Sequence, residues 1–189
     1  MNAQPLITLA EQAHTALSLM ILTDGRHHTT HVSEISECNR RATSALADFH
    51  AEQFRVFLPP LPRAAAADLA EALHAYMSAV FSSTLLMQGR ATPPSDNRTA
   101  EYASLSRMST LLLETVTSLA RYAKGKHPPP PDTFRFYKEL GLARAAHARE
   151  VMHSERSLHD RALNESLSGV SDALREAHRA TLVLIMESV

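Results

Sequence analysis

Apolar residues recur at intervals of three and four along most of the chain, which is the spacing of one face of an α-helix. Proline and glycine interrupt this pattern: proline breaks helix interiors because it removes a hydrogen bond, and glycine often ends a helix. The pattern predicts six helices, at about residues 5–24, 31–57, 62–88, 97–124, 132–168 and 170–188. In this prediction four glycines end helices, and a fifth, Gly141, lies inside one; the four are Gly25, Gly89, Gly125 and Gly169.

The six predicted helices suggest a single all-α domain over residues 1–189. Long helices joined by short loops pack antiparallel as a bundle. A proline-marked break near the middle divides the chain into two three-helix halves, at about residues 5–90 and 97–189. A short likeness between Asn39–Thr43 and Ala177–Thr181 hints at such a repeat. In the fifth helix the predicted core stripe is Leu140, Ala143, Val151 and Leu158, with His147 on the same face.

Composition favours helices and narrows the classes of function. The chain has 29 alanines, five glycines and no tryptophan, which is good helix material. Its 19 Lys and Arg against 20 Asp and Glu argue against a general nucleic-acid binder, which carries a basic excess. The single cysteine, Cys38, excludes an internal disulfide and any CxxC site.

Neither end of the chain predicts a targeting or membrane segment. Met1–Leu9 lacks the charged and apolar regions of a signal peptide. Apolar runs such as Leu182–Met186 are far shorter than the ~20 residues that span a bilayer. We therefore expect a cytoplasmic protein that associates with a membrane only through a partner.

The break between the second and third predicted helices carries a family resemblance. It reads Phe57-Leu58-Pro59-Pro60-Leu61-Pro62-Arg63 and is followed by Asp68-Leu69-Ala70-Glu71-Ala72-Leu73. This stretch, with the opening helix Leu9–Ala13, resembles the PhoU-like family of phosphate-transport regulators, in particular the accessory proteins of Pit-type phosphate permeases. The resemblance implies a six-helix bundle that acts beside a permease by protein–protein contact, with a homodimer as one arrangement.

Members of that family hold metal clusters with paired E/D-x-x-x-D carboxylates on their helices. Residues four apart share a helix face, so two carboxylates converge on one cation. Here the family's ligand positions fall on Asn39 and Thr43, His74 and Ser78, and Ala177 and Thr181. In the fifth helix two alignments remain open, Met152 with Arg156 or Glu155 with His159. No alignment restores a full set of acids, so we expect neither the metal cluster nor another cofactor.

Other candidate groups each have a plainer interpretation. A histidine cluster in the first loop could bind metal but is more typical of a solvated turn; it comprises His27, His28 and His31. Further histidines could meet across the bundle as a His-based metal site, although ordinary core or surface histidines are favoured; they are His74, His147, His153, His159 and His178. Four arginines are candidates for binding an anion, although the favoured interpretation is that they are ordinary surface residues. They are Arg40, Arg41, Arg63 and Arg179.

The remaining ionisable groups suggest no catalytic residue. Five glutamates are interpreted as solvated: Glu114, Glu139, Glu150, Glu155 and Glu165. Nearby arginines could lower the pKa of Cys38, but a buried, inert thiol is favoured. The proline-rich stretch 124–131 has two interpretations, a docking segment or a stiff spacer between helices. The spacer is favoured, because Asp132-Thr133 directly after it suits a helix cap.

The sequence thus predicts a non-enzymatic accessory or regulatory protein of phosphate transport. Its partner would be a permease or a PhoU-like paralogue. Two alternatives stay open: a helical bundle that binds an anion or small ligand, and, less favoured, a His-based metalloprotein.

Overall fold

The structure is a computed structural model that describes residues 3–24, 29–55, 61–88, 93–122, 130–153 and 157–188. Within these ranges the chain is all-helical, without a strand, as the periodicity predicted. The helices are α1 (Gln4–Thr23), α2 (Thr29–Arg55), α3 (Arg63–Met87), α4 (Asp96–Tyr122), α5 (Thr133–His153) and α6 (Leu158–Glu187).

The predicted boundary between the last two helices is wrong. The first four helices begin and end within two residues of the prediction, but α5 ends at His153 and α6 runs from Leu158 straight through Gly169. Ser157 begins α6 as a helix cap, because its hydroxyl accepts a hydrogen bond from the backbone N–H of Asp160 at 3.0 Å. A glycine inside a helix costs only about 0.5–1 kcal/mol, which the packing of α6 on α3 outweighs.

Other predicted helix ends have mixed outcomes. The Asp132 carboxylate accepts a hydrogen bond from the Arg135 backbone N–H at 2.9 Å, which confirms the predicted cap of α5. Gly141 lies inside α5, as predicted. The other predicted helix-ending glycines, Gly25, Gly89 and Gly125, lie outside the described residues.

Alanine and leucine build a single core between the helices. Alanines on the inward faces are almost fully buried, so the helix backbones approach closely; they include Ala13, Ala16, Ala66, Ala70 and Ala177. Among the described helices α1 alone is long and apolar enough to cross a membrane by length and composition, and half of that stretch is buried in the bundle. Of the core stripe predicted for the fifth helix, Leu140 and Ala143 are buried as predicted, whereas Val151 and Leu158, the first residue of α6, are exposed.

The packed helix pairs follow a regular pattern. α1 packs on α2, α3 and α4, while α4 also packs on α5 and α6. α3 contacts α2 and, most extensively, α6, and α5 contacts α6. This set of pairs is unchanged when α1, α2 and α3 are exchanged with α4, α5 and α6.

Candidate functional site

The residues of α2 and α3 that align with metal ligands in the PhoU-like resemblance lie together at the contact of these helices. Thr43 Oγ1 is 3.3 Å from His74 Nε2. The Thr43 hydroxyl donates to the Asn39 carbonyl at 3.0 Å, so the ring N–H of His74 is the donor to Thr43. A hydroxyl and an imidazole therefore meet where the family would have acidic residues.

The corresponding positions on α6 belong to the core. Ala177 and Thr181 are fully buried, and the Thr181 hydroxyl donates to the Ala177 carbonyl at 2.7 Å. In the part of the chain that the structure describes, no group of three His, Cys, Asp or Glu side chains is placed to hold a metal ion. A multinuclear cluster needs several anionic oxygens to balance its cations, so these residues do not fit one.

We expect the protein purified without added metal to contain iron, zinc or manganese only far below one atom per chain. Elemental analysis by mass spectrometry measures this directly. As a comparison, the sample is incubated with each metal and desalted before analysis. Stoichiometric metal that survives desalting would contradict the prediction.

The candidate anion-binding arginines are dispersed and already paired. Arg40 and Arg41 donate to the Glu37 carboxylate at 2.7–2.8 Å, and these bonds lower the pKa of Glu37 to about 2. Arg179 lies 3.1 Å from Glu176 on α6. Helices α2 and α6 are not a packed pair among the described helices, and Arg63 is exposed at the start of α3. The fold does not assemble these arginines into one site.

The predicted histidine candidates do not come together as a metal site among the described residues. His31 Nδ1 is 3.2 Å from Glu34, and His153 bonds to the carbonyl of Arg149 in its own helix. His159 is exposed near the start of α6. His27 and His28 lie outside the described residues.

Cys38 matches the interpretation of a buried, inert thiol. It is 7% exposed, and burial raises the pKa of its thiol more than the neighbouring Arg41 lowers it. The thiol is therefore protonated at neutral pH and poorly nucleophilic.

Two of the glutamates interpreted as solvated are in fact buried. Glu139 is buried and its carboxylate lies 2.8 Å from Nε of Arg107 on α4. Glu150 is 4% exposed and faces α4. Glu114 and Glu165 are exposed as predicted, and Glu155 lies outside the described residues. The burial follows from their positions on the inward face of their helix.

Glu150 belongs to a buried charge cluster that the sequence analysis missed. At its centre is Arg98, which is 1% exposed and donates to Glu101 at 2.6 Å. Its guanidinium also donates to Asn164 on α6 and lies 3.9 Å from Glu150 on α5. One side chain therefore ties α4 to α5 and α6. We call these residues, together with Ser95 and His147, the Arg98 cluster.

The remaining bonds of the Arg98 cluster satisfy its carboxylates. The Ser95 hydroxyl donates to Glu150 and accepts from the Arg98 backbone N–H at 3.1 Å. His147 Nδ1 lies 2.9 Å from Glu101, and the His147 side chain is partly buried. Two carboxylates thus share one guanidinium inside the bundle, an arrangement that closes the helices together rather than presenting a reactive group.

Only a weak sequence signal marked this cluster. Arg98 and Glu101 are three apart on α4, as His147 and Glu150 are on α5. The same spacing is common on solvated helix faces, so the pattern alone does not show burial.

His178 is a second buried ionisable group. Its ring stacks on Phe136 of α5, with ring centroids 3.8 Å apart and planes at 9°. Neither ring nitrogen has a hydrogen-bond partner among the described residues. Burial lowers the pKa of His178 to about 4, so the ring is neutral at pH 7.

A serine and a histidine also meet where α1, α3 and α4 join. His14 Nδ1 lies 2.9 Å from Ser109 Oγ, which accepts a hydrogen bond from Tyr76 at the same distance. Burial lowers the pKa of His14, but Ser109 is only 1% exposed. A substrate has no access to this hydroxyl, and the three side chains form a polar contact within the core.

The outward side of α5 is an apolar surface feature of the described residues. We call it the α5 outer face; along it lie Phe134, Tyr137, Gly141, Ala145, Ala148 and Met152, all exposed. Their spacing of three and four keeps them on one stripe of the helix. Phe134 is 83% exposed and Met152 is 74% exposed. Large apolar side chains uncovered in this way mark interaction surfaces.

Basic residues flank the α5 outer face. The exposed basic side chains of α5 include Arg135, Lys138, Arg144 and Arg149. Both acids of α5, Glu139 and Glu150, are buried. The exposed surface of α5 is therefore apolar and positively charged.

These observations define the class. The described residues form an all-helical bundle of six helices, their buried carboxylates are paired internally, and none of them covers the apolar, basic outer face of α5. No protein-family model and no curated protein sequence matches the chain.

Proposed function

We propose that this chain is a non-enzymatic accessory or regulatory protein that acts by protein–protein contact. The α5 outer face is the observation that supports this most, because it offers a helix-long apolar surface without a partner inside the described chain. The resemblance of residues 57–73 to PhoU-like proteins points to phosphate transport, with a permease or a PhoU-like paralogue as partner.

We also propose that the bundle is a PhoU-like pair of three-helix repeats. The helix pairs support this, since exchanging the first three helices with the last three leaves the pairing unchanged. That exchange relates α2 to α5. The short likeness between residues 39–43 and 177–181 links α2 to α6 instead, so it adds no support.

Affinity purification from native cells at physiological expression tests the function. We expect the wild-type chain to retain a phosphate permease or a PhoU-like chain. The double variant Phe134→Ser/Met152→Ser should lose this partner, because both side chains are exposed parts of the α5 outer face.

A matched variant controls for general surface effects. Leu85→Ser/Met186→Ser also removes two exposed apolar side chains, which are 46% and 70% exposed on other helices. It should retain the partner, and both variants should keep the wild-type thermal unfolding midpoint. Recovery of the bare polypeptide, or equal partner recovery by both variants, would overturn the proposal.

A further inference from the structure

The first two turns of α5 form the part of its outer face that is best suited to an acidic partner. Phe134 and Tyr137 supply the apolar surface, with Arg135 and Lys138 beside them. Neither basic side chain makes an ion pair with any described residue. Further along the helix, Arg144 is already paired with Asp172 at 2.8 Å. The unneutralised charge therefore lies at Arg135 and Lys138 near the start of α5, and at Arg149 near its end, where Arg149 bonds to the neutral side chain of Asn97.

A groove between α3 and α6 has the opposite character, and we call it the α3–α6 groove. Its volume is about 490 Å³. Three carboxylates and one arginine line it, together with small apolar side chains; they are Asp68, Glu71, Glu176, Arg179, Ala72, Ala75, Ala180 and Val183. Arg179 is bonded to Glu176, and Glu71 lies 3.0 Å from His50 Nε2 of α2. Three carboxylates against one arginine still leave the groove acidic.

We propose that the first two turns of α5 dock into the α3–α6 groove of a second copy of this chain, reciprocally, in a two-fold dimer. This proposal rests on the proposed function, because it assigns a second copy of the chain as one partner of the same α5 outer face. Charge complementarity selects this partner: Arg135 and Lys138 would face Asp68 and Glu71. An α5–α5 contact would instead bring like charges together, which opposes association.

The dimensions of the two surfaces agree. The groove residues span two helical turns on each wall, from Asp68 to Ala75 and from Glu176 to Val183. Residues 134–141 of α5 span the same length, about 10 Å at 1.5 Å per residue. The alanines of the groove leave room for a large side chain such as Phe134, and this is the kind of anchor that fills an interface pocket.

The two surfaces also adjoin on each molecule. The ring of Tyr137 lies 6.0 Å from the ring of His178, which directly precedes Arg179 of the groove. Helix and groove therefore form one continuous patch. A patch that carries both complementary halves can pair with its own copy about a two-fold axis.

Gly141 ends the docking segment and supports a close contact there. A Cβ atom added at Gly141 would meet nothing within 4 Å, so the packing of the bundle does not require glycine at this position. The missing side chain would let a partner backbone approach closely. Gly169 of α6 is equally open, but it lies outside both surfaces and serves as a matched control.

Sedimentation velocity of the purified full chain over a wide concentration range tests the dimer. We expect wild-type dimers that weaken at high salt, because salt screens exposed charges. Lys138→Glu and Asp68→Lys, each alone, should weaken dimerisation by about tenfold or more, since like charges then face each other. Gly141→Leu should also weaken it, whereas Gly169→Leu should not.

An equimolar mixture of Lys138→Glu and Asp68→Lys is the most specific arm of this experiment. In the mixed dimer, the reversed helix charge faces the reversed groove charge at one contact, and the native charges face each other at the other. The mixture should therefore dimerise close to the wild-type level. A wild-type chain that stays monomeric, single variants without effect, or a mixture that fails to recover would each overturn the proposed dimer.

Two further readouts separate this proposal from the proposed function. If the chain is monomeric but still retains a permease through the α5 outer face, the dimer fails and the proposed function stands. If the chain dimerises as described but retains no permease or paralogue, the proposed function fails and the dimer stands. A third outcome is a monomeric chain that binds vesicles of anionic phospholipid. If Lys138→Glu abolishes this binding, the α5 outer face contacts a membrane and the proposed dimer is overturned.

Discussion

Replacing Arg98 by methionine is expected to lower the free energy of unfolding by about 3–5 kcal/mol, the range for breaking a buried ion pair. Arg98 is 1% exposed and is the cation shared by Glu101 and Glu150, both of which are buried. Methionine fills much of the space but supplies no charge, so two carboxylates remain in the core without a cation. Urea denaturation of wild type and variant measures the difference.

An exposed ion pair provides the control for this prediction. Arg144 and Asp172 lie 2.8 Å apart with about half of each side chain exposed. Arg144→Met should therefore lower stability by less than about 1 kcal/mol. If Arg98→Met loses no more stability than Arg144→Met, the Arg98 cluster does not hold the three helices together.

The charge explanation can be separated from a packing defect. Adding Glu101→Gln and Glu150→Gln to Arg98→Met removes the uncompensated charges and should restore part of the lost stability. A cavity alone would not produce this recovery.

His178→Leu is expected to remove much of the protein's sensitivity to mild acid. Burial lowers the pKa of His178 to about 4, whereas histidine in an unfolded chain has a pKa of about 6.5. As the pH falls from about 6.5 to about 4, the unfolded chain binds a proton that the native chain does not. Stability is thus fully present above this window and falls by about 3 kcal/mol across it.

Urea denaturation at several pH values measures the His178 contribution. Relative to wild type, His178→Leu should gain about 2 kcal/mol between pH 7 and pH 5, because each pKa unit corresponds to about 1.4 kcal/mol. Some acid sensitivity should remain, since burial also lowers the pKa of His14. His153→Leu is the control, because His153 is exposed and bonds only to its own helix. Parallel stability curves for wild type and His178→Leu would contradict the prediction.

The predicted helices were accurate where the chain has strong punctuation. The ends of the first four helices lie near prolines or glycines, whose backbone chemistry acts locally. Residues 154–157 contain neither proline nor glycine, and α6 begins at the Ser157 cap. Gly169 suggested a helix end but is held inside α6 by packing on α3. Local signals fail where a tertiary contact outweighs a preference of about 1 kcal/mol.

The candidate sites were less predictable because they depend on which helix faces meet. Val151 continues the spacing of Leu140 along α5, yet it is exposed while Leu140 is buried. Glu150 resembles a solvated residue in sequence but lies beside Arg98. Sequence spacing shows which residues share a face, and it does not show what that face contacts.

The sequence by itself determined that this protein is helical and where most of its helices lie. These properties follow from each residue and its near neighbours. Only the tertiary structure decided that the Arg98 cluster is buried, that His178 is neutral against Phe136 and that no helix among the described residues covers the α5 outer face. Whether a group is buried and whether it is ionised depend on side chains from distant positions in the sequence, because these side chains exclude water from around the group.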